Sequence, residues 1–155
     1  QTYKKKLKKS AVMEVGLVAI TNLGSPDETT EYYSKMINPG VNVSRYATKV
    51  TGITSAMTRR CEKISVYHKD IQRFIDKADI IVFHGGVQDI EALNNLGFNI
   101  KDKVIIDTQA VAKKSEYEFE NYSLSGIAGY FNIKEGRIHR ALDDAKLTIE
   151  VYRRL

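Results

Sequence analysis

The stretch from Asp79 to Leu96 most narrows what this chain can fold into. It reads DIIVFH, then Gly85-Gly86, then a run suited to a helix. A short β-branched run broken by two glycines and followed by a helix is a strand–turn–helix unit. The pattern repeats at once: Lys103 to Asp107 (KVIID) predicts a strand and Thr108 to Lys114 a helix. Strands alternating with helices require an α/β layering, with parallel strands joined by helical crossovers.

The flanking segments fit that frame. Ala11 to Ile20 (AVMEVGLVAI) is apolar and β-branched, and predicts a strand. Asn22 to Glu28 holds Gly, Ser, Pro and Asp and predicts a turn. A second strand over Thr30–Ile37 pairs with the first as an antiparallel hairpin, and Asn38-Pro39-Gly40 ends it. Val41 to Thr54 reads as irregular. Thr58 to Lys77 places Ile64, Tyr67, Ile71, Phe74 and Ile75 at helical spacing. Leu124 to Phe131 predicts a further helix, and His139 to Leu155 ends the chain in another. The expected fold is α/β, a mixed sheet with an antiparallel hairpin and flanking helices, and 155 residues suffice for one such domain.

Composition excludes several classes. No apolar run nears the roughly 20 residues that span a bilayer, so no membrane role is expected. One cysteine, Cys61, rules out an internal disulfide and fits a reducing compartment; a cytoplasmic location is the expectation. The net charge of +5 favours polyanionic partners, nucleic acid first. Residues 1–10 are lysine-rich and read as a solvated, mobile segment.

Chemistry gathers at helix starts. His139 stands just ahead of the last helix, and Asp144 lies five positions on, in its first turns. On its own this is an amphipathic helix with a solvated first turn, since acids suit a helix N-terminus. Asp89, however, opens the helix after DIIVFH, and open α/β sheets form sites outside the carboxyl ends of their strands. Two acids from separate elements with a nearby histidine suggest a divalent-metal site for phosphoryl chemistry.

Four segments in order carry a resemblance. EVGLV within Ala11–Ile20 is similar to an "EIGAV" strand. YSKMINPG…VTGIT, from Tyr33 to Thr54, is similar to "lInPg…itGIt". IVFHGGVQDIEAL, from Ile81 to Leu93, is similar to "vaHNa.FDi..L", and HRALDD, from His139 to Asp144, to a His with four residues between it and an Asp. Together they resemble the DnaQ-like, DEDDh-type 3′–5′ exonucleases of the ribonuclease H-like fold, over nearly the whole chain. The resemblance implies metal-dependent removal of nucleotides from DNA or RNA 3′ ends, with two Mg²⁺ or Mn²⁺ ions. It implies Asp89 and Asp144 as metal-site acids and His139 as general base. Thr51, Gly52, Ile53 and His84 are the implied substrate contacts, with Ile53 wedging against the terminal base. A single-stranded end and a polymerase or other fused or partner domain are the implied partners.

The sequence also departs from that pattern. The family's Asp-x-Glu, on its first and central strand, is expected before residue 11 and is not found. Asp27-Glu28 are adjacent rather than spaced, and fall in the hairpin turn. Gly85 stands where Asn is usual and Gln88 where Phe is usual. The expectation is a single domain over residues 1–155 without that strand. The alternative is a non-catalytic DnaQ-like module that binds nucleic acid or a protein partner.

Overall fold

The computed structural model describes residues 11–136 and 139–155. The lysine-rich decapeptide lies outside the described residues. Two strands, β1 (Glu14–Thr21) and β2 (Thr29–Met36), form the expected antiparallel hairpin, with Glu14 opposite Met36 and Thr21 opposite Thr29. Three helices follow: α1 (Arg45–Thr51), α2 (Ser55–Arg59) and α3 (Ile64–Asp76). Then come β3 (Ile80–Phe83), α4 (Val87–Asn95), β4 (Val104–Asp107), α5 (Thr108–Lys114), α6 (Leu124–Tyr130) and α7 (Ala141–Tyr152). β3 and β4 pair in parallel, Ile80 with Val104 through Phe83 with Asp107, as a strand–helix–strand crossover demands.

Antiparallel and parallel pairing are both present, as the sequence suggests, but among the described residues they form two separate two-stranded ladders. Helix α7 spans them and packs on β1, β2 and β3. The C-terminal helix thus supplies the packing surface that relates the hairpin to the parallel pair.

Apolar residues collect in two cores. One joins Ala112 of α5, Ile127 and Ala128 of α6, and Leu147 and Val151 of α7 around Phe119. The other joins Ile71 and Ile75 of α3 with Phe98 and Ile100, against partly buried Val15 and Leu17 of β1. Ile71, Ile127 and Val151 are essentially sealed from water. Truncating Ile71 or Ile127 to alanine should cost about 2–5 kcal/mol through lost burial and the cavity left behind.

The stretch from Val41 to Thr54 is not irregular. Ser44 caps α1, its hydroxyl accepting the Ala47 N–H, and Gly52 ends it at φ 73. Thr54 caps α2 through the Met57 N–H. The long helix expected over Thr58–Lys77 is divided, since α2 ends at Arg59 and α3 starts at Ile64.

Candidate metal and catalytic centre

Asp89 and Asp144 each arrive in the first turn of a helix. Asp89 is set by the turn at His84-Gly85-Gly86 between β3 and α4. Gly85 adopts φ 62, a left-handed value that glycine reaches without cost. Its N–H donates to Asp107 Oδ1 at 2.8 Å, and Gln109 N–H donates to the same oxygen at 2.9 Å. The ends of β3 and β4 are therefore tied together just ahead of Asp89.

Asp144 lies in the first turn of α7, which packs against β3. The His139 N–H donates to Asp144 Oδ1 at 3.1 Å. That contact depends on His139 holding φ 64, a sparsely populated backbone state for a residue with a side chain. A strained histidine whose backbone is bonded to an acid is a feature that functional sites show more often than ordinary helix starts.

The mouth of α7 is anchored to β1 by an acid the sequence reading passed over. Glu14, its side chain 8% exposed, receives the Arg140 guanidinium at 2.7 Å through Nη2, with Nε 3.2 and 3.1 Å from its two oxygens. Glu14 Oε2 also accepts the Ala141 N–H at 2.9 Å. No side chain within the helix caps α7, so a carboxylate from 127 residues earlier in the chain fills that role. Gly16 makes the approach possible, because a Cβ there would fall onto Ala141 C and Leu142 N. A bond between residues so far apart leaves no local spacing to read; the signals were an acid inside an apolar strand and an arginine beside the candidate histidine.

The acids differ in electrostatic setting. Burial pushes the Glu14 carboxyl up, but Arg140 and the Ala141 N–H outweigh it and hold it below the usual carboxylate range. Asp89 is raised by desolvation from the protein around it, although the residue is exposed at the surface. Asp144 is also raised, first by burial and further by Asp143 and Glu14, against the lowering effect of the His139 N–H and ring. Carboxylates raised in this way gain from a cation. Carboxylate oxygens are also the donors that Mg²⁺ and Mn²⁺ prefer, so Asp89 and Asp144 fit part of such a site. Among the described residues no three His, Cys, Asp or Glu side chains cluster as a ready metal cage.

The remaining expected contacts are placed differently. Ile53 is 1% exposed and packs in the interior instead of offering an apolar wedge. The Thr51 hydroxyl donates to the Ala47 carbonyl at 2.8 Å and accepts the Ile53 N–H at 3.1 Å, and Gly52 is the end of α1. The segment is built as a helix stop. His84 is held on both ring nitrogens. Nε2 donates to the Tyr122 carbonyl at 3.0 Å, and Nδ1 lies 2.8 Å from the Thr108 hydroxyl. Burial lowers its pKa. These bonds make His84 a strut between β3 and the loop before α6. Glu28, in the hairpin turn, pairs with Arg153 and accepts the Gly24 N–H at 2.7 Å, so its carboxylate is engaged there.

Comparison with known proteins agrees with this architecture. The family model described as Exonuclease, of the RNase T group, matches residues 2–152. A DNA polymerase III subunit epsilon from Aquifex aeolicus is 32% identical over 127 residues, 79% of this chain and 62% of that protein. A PolC-type DNA polymerase III from Thermotoga petrophila is 31% identical over 148 residues, 92% of this chain. The chain spans only 10% of that relative's length and of other PolC-type relatives. In fold, the chain resembles exonuclease X in complex with 5′ overhanging duplex DNA. The TM-score is 0.73 at 17% identity, over 93% of this chain and 81% of that one.

Proposed function

The chain belongs to the exonuclease family, and from that premise we propose that it removes nucleotides one at a time from the 3′ end of a DNA or RNA strand. The observation that carries this reading is the mouth of α7, where His139 is bonded to Asp144 on a helix packed against the strand that leads to Asp89. Exonucleases of the DEDDh type use divalent metal ions. Asp89 and Asp144 would hold part of a pair of Mg²⁺ or Mn²⁺ ions. When bound, such ions supply Lewis acidity and charge compensation at the scissile phosphate. His139 takes the proton of the attacking water, as a positioned imidazole can. Its exposed position lets it meet a substrate end from solvent. Asp144 positions His139 by accepting its backbone N–H. A single-stranded 3′ end is the proposed substrate, trimmed in the cytoplasm in company with a polymerase, as the epsilon and PolC-type relatives suggest. No helix among the described residues is long and apolar enough to cross a membrane.

The test is turnover on a 5′-labelled oligonucleotide with Mg²⁺ or Mn²⁺, with and without chelator, for wild type and His139→Ala. The expected result is shortening from the 3′ side that stops with chelator. Turnover should fall about 10²–10⁴-fold in His139→Ala, the usual scale of acid–base catalysis, with affinity little changed. Normal turnover in His139→Ala would remove its role as base. Binding without cleavage by wild type would favour a non-catalytic module instead.

A further inference from the structure

Positive charge is unevenly placed. From Asn38 to Cys61 the chain carries Arg45, Lys49, Arg59 and Arg60, and no Asp or Glu. With those four and the five lysines of the first ten residues set aside, 15 basic residues remain against all 19 acids, so the rest of the chain is net acidic.

The basic segment folds as a compact unit. The Asn38 N–H donates to the Glu62 carbonyl at 2.9 Å and closes its base. The Val43 N–H donates to the Ser55 hydroxyl at 2.8 Å, joining the loop before α1 to the start of α2. The Arg59 guanidinium donates to Asn42 Oδ1 at 2.6 Å, which brings the end of α2 beside the same loop. Arg45, Lys49, Arg59 and Arg60 are all exposed. Arg45 and Lys49 lie one turn apart on α1, and Tyr46 lies three positions from Lys49, so the three are neighbours on one helix surface. Tyr46 is 78% exposed, the most open of the large apolar side chains among the described residues. A tyrosine so open gains little from folding, and the same ring beside Lys49 offers a π-face to a base whose backbone the nearby cations can hold.

We propose that the α1–α2 face is a docking track for single-stranded nucleic acid, with Tyr46 stacking on an unpaired base and Arg45, Lys49, Arg59 and Arg60 contacting phosphates. The choice of nucleic acid rests on the exonuclease reading; the placement of the track rests on charge and exposure. A paired base would keep its faces within the duplex stack, so the ring selects a single strand.

The experiment is fluorescence anisotropy of the protein with a labelled single-stranded 20-mer in EDTA, which separates binding from cleavage, over a range of salt concentrations. Tyr46→Ala is expected to weaken binding about tenfold, the scale of losing one stacked base. Arg45→Ala with Lys49→Ala should lower the steepness of log K against log salt by about 1.4, for two single-strand phosphate contacts. Lys101→Ala with Lys134→Ala, two exposed lysines elsewhere, should change neither as much. All the altered side chains are exposed, and unchanged melting temperatures confirm folding. Wild-type affinity in Tyr46→Ala, equal losses in the two double variants, or no oligonucleotide binding by wild type would each overturn the proposal. Cleavage by wild type with Mn²⁺ is read separately. Binding that depends on Tyr46 without any cleavage would leave the track standing and sink the exonuclease reading; cleavage with Tyr46→Ala binding as wild type would do the reverse.

Discussion

Glu14 and Asp144 stand at the same helix mouth, near enough for Glu14 to raise the Asp144 carboxyl, yet they are held in opposite ways. Glu14 is sealed, bonded to Arg140 and to the Ala141 N–H, and driven toward its ionised form. Asp144 accepts a backbone N–H from a strained residue and is driven toward its neutral form; Asp89, at the start of α4, is driven the same way. The difference separates two uses of one residue class. A carboxylate that closes a structural contact is given its counter-charge by the fold. A carboxylate raised by desolvation and given no arginine or lysine partner is ready for a cation. On this view Glu14, Arg140 and Gly16 fix where α7 begins, and the start of α7 fixes where Asp144 and His139 stand.

At the mouth of α7 the largest stability effect should come from closing the gap between β1 and the helix. Gly16→Ala places a Cβ on the backbone of Ala141 and Leu142, so helix and strand must part. The expected loss is about 3 kcal/mol, at the upper end for overpacking, measured by denaturant unfolding. Unchanged stability would mean that α7 is not seated on β1 as described.

Glu14→Gln comes next. It keeps the side chain's shape but removes the charge that holds Arg140. A loss of about 1.5–3 kcal/mol is expected, the range for hydrogen bonds to a charged group, nearer the lower figure because Arg140 is 30% exposed. Turnover should fall with it, and Glu14→Asp should recover less than half of either, because a shorter side chain cannot reach both Arg140 and Ala141. A variant that loses stability but keeps full turnover would sever the seat of α7 from the placement of Asp144.

A smaller effect of opposite sign should follow at the open acids. Asp89→Asn removes a charge that nearby protein partly desolvates, although the residue is exposed, so the melting temperature in EDTA at pH 7 should rise slightly. Mn²⁺ should raise the melting temperature of wild type, since a ligand of the folded state stabilises it, and should do so less for Asp89→Asn and Asp144→Asn. An equal Mn²⁺ effect on all three proteins would place the cation elsewhere.

Much of this could be read from the sequence, for reasons that differ by element. The strands EVGLV, IVF and VIID announce themselves because β-branched runs have few other stable uses. Asp89 and Asp144 were legible because a strand–glycine–helix turn and a helix start both have local signatures. Helix α1 was missed because Val41 to Val50 lacks an apolar stripe; its signals were the Ser44 cap and Gly52 just past its end, two single residues eight apart. Ile53 read as a wedge against the terminal base because resemblance carries a residue's identity but not its burial. The Glu14–Arg140 pair was out of reach, since its residues meet only after the hairpin and the last helix have packed.

Stability against pH tests the contrast between the acids most directly. The proteins are wild type, Glu14→Gln and Asp89→Asn, melted in EDTA across pH 3 to 8, a window chosen to bracket ordinary carboxylate pKa values of about 4. Glu14 is lowered in the fold, so its contribution is present above its ordinary pKa and lost as pH falls through the lowered value. Asp89 is raised, so its contribution is present below its ordinary pKa and lost as pH rises through the raised value. Glu14→Gln should therefore melt below wild type at pH 7, with the gap narrowing in acid. Asp89→Asn should melt slightly above wild type at pH 7, slightly because the residue is exposed, with that gap closing toward about pH 4. Should both variants melt below wild type at neutral pH, the Asp89 carboxylate already has its counter-charge, and the division between a structural acid and working acids is wrong.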